Sequence, residues 1–267
     1  PRTEQPALDM DHHMNCKDWS LDDPIFLLIH GAWHDASCWL EFTPLLESHG
    51  HKVLAPDLPG HGRNTSESAR TTLKVYSQYI LQIIDNIDNK AILVGHSMSG
   101  MVISQVAEMR PDKVHRLIYL SAYLPCNNQS LFDLIASNQH TLGAASIESI
   151  MEMSNDKRFY SIPPDNIRPV FYNRVQTNQL AAIPKNLPPQ PVIPLTEKVS
   201  LTEECFGKVK KTYICCLDDQ VIPITHQRHM LKQQPCNEMV QLDTDHSPFL
   251  SCPDTLASVL HSASLAE

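Results

Sequence analysis

Apolar residues run along this chain in two alternating rhythms. Short unbroken runs, clearest at Ile25-Phe26-Leu27-Leu28-Ile29 and Ala91-Ile92-Leu93-Val94, are separated by stretches where apolar positions recur every three or four residues. An unbroken run has both faces apolar, so it predicts a strand covered on both sides, as in a parallel sheet with helices above and below. The spacing of Leu73, Tyr76, Ile80, Ile83, Ile84 and Ile87 predicts an amphipathic helix over 73–87. Trp39, Phe42, Leu45 and Leu46 predict a shorter helix that stops at His49-Gly50. Further strands are expected at 52–55, 114–122, 212–216 and 238–242. Further helices are expected from Met98 to before Pro111, near 225–232, and from Pro253 onward. Strands alternating with helices give βαβ units and an α/β domain built on a mostly parallel sheet flanked by helices.

The rhythm lapses between 124 and 201. Proline crowds this stretch, Pro188-Pro189-Gln190-Pro191 included, and the helical patterns are short and mixed. It is expected to form an inserted cap over the sheet edge rather than a second sheet domain. Residues 1–22 show no periodicity and read as an N-terminal arm. The expected organisation is therefore an arm at 1–22, a core at 23–123 and 202–267, and a cap at 124–201. At 267 residues and 42% hydrophobic content, the chain can bury a core of that size.

Charge narrows the partners. A formal net charge of −9 and the lack of any Lys/Arg cluster argue against nucleic acid and anionic membrane surfaces. No apolar run approaches a membrane span, and the polar, acidic first 21 residues are unlike a signal peptide. The eight cysteines form no Cys-x-x-Cys pair, which reads as reduced thiols in a cytoplasmic protein. Of the fourteen histidines, His12-His13 are the densest pair but have no converging ligands, so neither a metal nor an organic cofactor is expected.

Candidate chemistry gathers at predicted strand ends. Five of the eight glycines (31, 60, 62, 95 and 100) fall in three such loops, marking one site-bearing face. The strand at 91–94 runs into Gly95-His96-Ser97-Met98-Ser99-Gly100, a sharp strand-to-helix turn that would expose a nucleophilic serine at position 97. A serine hydroxyl needs a base, and the base needs an orienting carboxylate. Downstream, Asp218-Asp219 and then His246 each lie just past a predicted strand, so parallel strands would bring the three loops to one edge. Either aspartate could be the acid on this reading. An oxyanion needs two backbone N–H donors, expected from Met98 and from Ala32 in the His30-Gly31-Ala32-Trp33 loop. Trp33 and His34, beside that loop, are candidates for lining an acyl pocket. A phosphate-binding loop is excluded because Met101 follows Gly100, and a dinucleotide fingerprint because Gly60-His61-Gly62 has no third glycine.

Taken together, His30-Gly31-Ala32-Trp33-His34 with Cys38-Trp39, Gly95-His96-Ser97-Met98, Leu117-Ile118-Tyr119-Leu120, Asp219 with Ile222-Pro223 and Gln227-Arg228, and Asp245-His246 span almost the whole chain. In this set the chain resembles the α/β-hydrolase superfamily, and more closely the group of plant methylesterases, hydroxynitrile lyases and bacterial pyrethroid-type carboxylesterases. The resemblance implies Ser97 as nucleophile, His246 as base, Asp219 as acid, and Ala32 and Met98 as oxyanion donors. Two departures bear on it. Ser99 stands where the second glycine of the turn is usual. Ser247 stands where lyases of the group carry a lysine for the cyanide leaving group, which favours ester hydrolysis.

These readings predict a serine carboxylesterase that acts through an acyl-enzyme on an uncharged, fairly apolar ester or lactone, macrolide-type lactones included. The cap aromatics Phe132, Phe159, Tyr160 and Phe171, with Met151, Met153 and Tyr172, are the expected substrate-binding surface. The alternatives are a small-molecule receptor on the same scaffold and a lyase-like use of the same site. Monomer and homodimer both stay open.

Overall fold

In the computed structural model, residues 23–65, 70–142 and 147–266 are described. The arm expected at 1–22, with His12-His13, lies outside them. The first half of the chain forms β1 (Ile25–Ile29), α1 (Thr43–Ser48), β2 (Val53–Leu54), α2 (Leu73–Asp85), β3 (Ala91–His96), α3 (Ser99–Met109) and β4 (Val114–Leu120). An insertion follows, with α4 (Leu131–Leu142), β5 (Glu152–Met153), β6 (Phe159–Ser161), α5 (Pro164–Phe171), β7 (Gln190–Pro191) and α6 (Ile193–Thr196). The chain then returns as β8 (Lys211–Cys216), α7 (Ile224–Gln233), β9 (Glu238–Leu242), α8 (Pro248–Ser251) and α9 (Pro253–Leu265).

The main sheet has the order β2-β1-β3-β4-β8-β9, and every pair in it is parallel. All residues of β1 and β3 are buried, as their unbroken apolar runs require. Helices pack in pairs, α2 with α3 and α1 with α9. The chain steps outward from β1 to β2, then crosses back to place β3 on the other side of β1. That reversal opens a crevice beyond the carboxyl ends of β1 and β3, the place where sheets of this kind hold ligands.

Three local expectations shift. The helix expected across 39–46 divides into a single 3₁₀ turn at Ala36–Trp39 and α1, because Pro44 fits only in the first turn of a helix. α2 ends at Asp85 with Asn86 as its cap, so Ile87 packs from the following turn. The insertion contains a three-stranded antiparallel sheet, β5-β6-β7, beside its helices. Strands of two or three residues are too short to show a period in sequence, and Pro191 sits in an edge strand, where a missing N–H is tolerated. Among the described residues no helix is long and apolar enough to cross a membrane, and seven cysteines are free thiols.

Candidate active site

Because all six strands run the same way, the loops after β1, β3, β4, β8 and β9 emerge at one edge. Ser97 directly follows β3 with φ 56°, a left-handed conformation that costs a non-glycine residue on the order of 1–3 kcal/mol. Close packing holds it there. Its N–H donates to Leu120 O at 3.4 Å and its carbonyl accepts from Tyr123 N at 3.0 Å. A Cβ at Gly100 would lie 1.9 Å from Tyr123 O, and one at Gly95 would lie 2.6 Å from Ser99 O, so neither position has room for a side chain. Ser99 is accommodated because its buried hydroxyl donates to the carbonyl of His30.

The two adjacent aspartates face different surroundings. His246 Nδ1 lies 2.6 Å from Asp219 Oδ2, and both groups are buried. Asp219 Oδ1 accepts from Val221 N at 2.7 Å and Ile222 N at 2.9 Å. Ser121 Oγ also donates to Oδ2. With four donors on one carboxylate, Asp219 is held as an acceptor and fixes the proton of His246 on Nδ1. His246 Nε2 is then the free lone pair, and it is buried without a hydrogen-bond partner. Asp218 instead points to Arg174 at 3.1 Å and to Asn173 at 3.1 Å, half-exposed. Asp245 caps its own turn, accepting from Ser247 N and Ser251 Oγ.

The loop after β1 is held through its carbonyls. His30 Nδ1 donates to Gly31 O at 2.9 Å while its Nε2 accepts from Leu58 N at 3.1 Å. His34 Nδ1 donates to Ala32 O at 2.8 Å while its Nε2 accepts from the Tyr172 hydroxyl at 2.6 Å. Each ring is therefore neutral. Burial, the nearest histidine charges and little else push His30 down to about 3, and burial above all pushes His34 down to about 4. Gly31 has no alternative here, because a Cβ would meet Ser97 Cβ at 2.8 Å.

Ser97, Ala32 and Met98 line one tight cavity of about 10 Å³, whose remaining walls are apolar or aromatic. Of the residues expected to bind substrate, Trp33, Phe132 and Met151 line this cavity. His34 and Tyr172, again with Trp33, line a separate outer cleft of about 270 Å³. Phe159, Tyr160 and Phe171 line neither. Tyr160 accepts Trp33 Nε1 on its backbone carbonyl at 2.9 Å and packs edge-on against Phe132. Phe171 packs against Trp33, His34 and His246. Tyr160 and Phe171 brace the loop after β1, a role that apolar content cannot distinguish from contact with a ligand.

Several residues of the site have no local signal. Ser121 follows β4 with φ 41° and reaches Asp219 only because β4 and β8 are neighbours. His96 donates from Nε2 to His246 O at 2.7 Å, with ring centroids 4.5 Å apart, and burial holds it well below its ordinary pKa. The walls from Leu131, Ile135, Ile147, Leu195 and Val221 are ordinary apolar residues in sequence. Leu131 and Ile135, four apart on α4, carry the only hint of a shared face. Among the described residues no group of three or more His, Cys, Asp or Glu is arranged to hold a metal.

The family model described as the alpha/beta hydrolase family matches residues 26–259. The chain is similar to putative methylesterase 13, chloroplastic, of Arabidopsis thaliana, with 31% identity over 246 residues, 88% of this chain and 55% of that protein. Methylesterase 7 of the same plant is 30% identical over 244 residues, 88% of this chain and 94% of its own length. The crystal structure of a pyrethroid hydrolase, PytH, superposes with a TM-score of 0.81 at 26% identity, covering 91% of this chain and 98% of that one. The chain thus spans a little over half of the first relative and nearly all of the other two.

Proposed function

Since the chain belongs to the alpha/beta hydrolase family, we propose that it is a serine carboxylesterase acting on a small, uncharged, apolar ester. One observation carries the reading: Ser97 opens into an apolar cavity while His246, oriented by Asp219, presents a buried Nε2 with no partner. In the proposed reaction, Nε2 takes the Ser97 proton as Oγ attacks the ester carbonyl. The oxyanion is held by the N–H groups of Ala32 and Met98. The imidazolium then gives its proton to the departing alcohol, leaving an acyl-serine. Water, activated by the same nitrogen, cleaves it and releases the acid. No cofactor enters this scheme.

The apolar walls of the cavity support an uncharged, apolar acyl or alcohol group. With about 10 Å³ of free room, space for no more than about one water, the cavity must open for any acyl group, and furthest for a macrocyclic lactone. The names of the similar proteins make methyl esters and pyrethroid-like esters the first candidates to try. The free thiols support a reducing compartment, with the chloroplast beside the cytoplasm because some relatives are named as chloroplastic.

The reading is tested by hydrolysis of short p-nitrophenyl esters and of methyl esters by wild type and Ser97→Ala, with fluorophosphonate labelling. Serine-dependent turnover with Ser97 labelled is expected. Stoichiometric labelling without steady turnover would favour a ligand receptor on the hydrolase scaffold. Full activity in Ser97→Ala would overturn the mechanism.

A further inference from the structure

Ala32 lies between two peptide planes, each held by a histidine. A trans peptide points its N–H opposite to its C=O, so the bond from His30 to Gly31 O sets the direction of the Ala32 N–H. The bond from His34 to Ala32 O holds the next plane. Each ring donates from Nδ1 because something donates to its Nε2. For His30 that donor is the backbone of Leu58, inside the core. For His34 it is the hydroxyl of Tyr172, 138 residues away in the insertion.

The insertion touches the same loop at two further points, through Tyr160 O on Trp33 Nε1 and through the Phe171 ring on Trp33 and His34. Trp33 has φ 60°, a conformation that persists only where surroundings enforce it. His34 and Tyr172 are both buried, so water does not replace a lost partner easily. Without the Tyr172 hydroxyl, His34 Nε2 would be an unsatisfied buried acceptor. The other tautomer would turn a lone pair on Nδ1 toward Ala32 O, two acceptors face to face.

We propose that Tyr172 is a positioning residue: its hydroxyl selects the His34 tautomer that holds the Ala32 carbonyl, and so couples the seating of the insertion to the shape of the oxyanion loop. The catalytic consequence rests on the esterase reading; the coupling itself does not.

Tyr172→Phe removes one oxygen and keeps the ring against Phe171. Amide hydrogen exchange across residues 30–36 is expected to quicken at least about tenfold more than in the core strands, while the melting temperature falls by only a few degrees. With p-nitrophenyl acetate, kcat is expected to fall about tenfold with KM within about twofold, since a misaimed donor costs less than an absent one. His34→Asn, whose amide nitrogen can occupy the place of Nδ1, is expected to keep more of kcat than His34→Ala. Unchanged exchange in the loop overturns the coupling, whether or not the wild type cleaves esters. Faster exchange with unchanged kcat, or a rise in KM alone, overturns the catalytic role and leaves Tyr172 as pocket wall. Absence of Ser97-dependent turnover in the wild type overturns the esterase reading and this role with it, while exchange still decides the contact.

Discussion

The hydroxyl of Ser99 donates to the carbonyl of His30 and joins the turn that carries Ser97 to the loop that carries Ala32. Both residues are fully buried. A glycine at 99 would leave that carbonyl facing a gap, so the departure from the usual turn pattern comes with its own compensation. Ser99→Ala is expected to lower stability by about 1–3 kcal/mol, the cost of stranding a buried acceptor. Urea unfolding reads this directly, and an unmoved midpoint would show that the bond contributes nothing.

Asp219 and Asp218 are expected to differ sharply. Asp219→Asn replaces an acceptor of His246 Nδ1–H with an amide and favours the wrong tautomer, so kcat should fall about 10³–10⁴-fold. Asp218→Asn loses only half-exposed contacts to Arg174 and Asn173 and should stay within about threefold of wild type. Steady-state kinetics of the pair would reverse the assignment if the two effects came out exchanged.

Gly100→Ala should not fold normally. The new methyl would stand 1.9 Å from Tyr123 O, a backbone atom of the segment that bonds to Ser97, and neither side can yield without moving the turn. Loss of more than about 4 kcal/mol is expected, seen as insoluble expression or a collapsed melting temperature. A soluble variant with a melting curve like wild type would mean that the crossing is looser than described.

Phe132 closes part of the cavity in front of Ser97. Phe132→Ala is expected to raise kcat/KM for longer p-nitrophenyl esters about tenfold relative to acetate, since each accommodated methylene is worth roughly 1–3 kcal/mol. A chain-length profile that keeps its shape would place the acyl group elsewhere.

Acid should destabilise the fold before it protonates most carboxylates. His30 and His34 titrate at about 3 and about 4 in the folded state, and burial also lowers His96. The unfolded chain takes up these protons near 6.5, so their contribution is full above that value and is lost as pH falls toward 4. Each histidine contributes a slope of at most about 1.4 kcal/mol per pH unit. Asp245, whose carboxyl burial raises, opposes the trend weakly. The denaturation midpoint should be lower at about pH 5 than at about pH 7.5, either side of 6.5, and His34→Asn should flatten the difference.

Much of this architecture is written locally. Apolar runs at 25–29 and 91–94 announce buried parallel strands because burial on both faces leaves no polar position. Gly95-His96-Ser97 announces a tight strand-to-helix turn because a strand can enter a helix so sharply only with small neighbours. The order of Ser97, the aspartates and His246 along the chain was equally readable, since parallel strands must deliver their ends to one edge.

Choices among near-equivalent residues needed the folded chain. Asp218 and Asp219 differ by one position, and only the backbone direction after β8, with Val221 and Ile222 donating to one carboxylate, turns Asp219 toward His246. Ser121 and His96 join the site because β3, β4, β8 and β9 lie side by side, a pairing across long sequence separations that no local pattern encodes. The aromatics of the insertion were recognisable as apolar, but packing alone decided that Phe132 faces the serine while Phe171 and Tyr172 brace the loop beside it. Local sequence sets the rhythm of a strand or the tightness of a turn, whereas contact between distant segments depends on the whole sheet closing first.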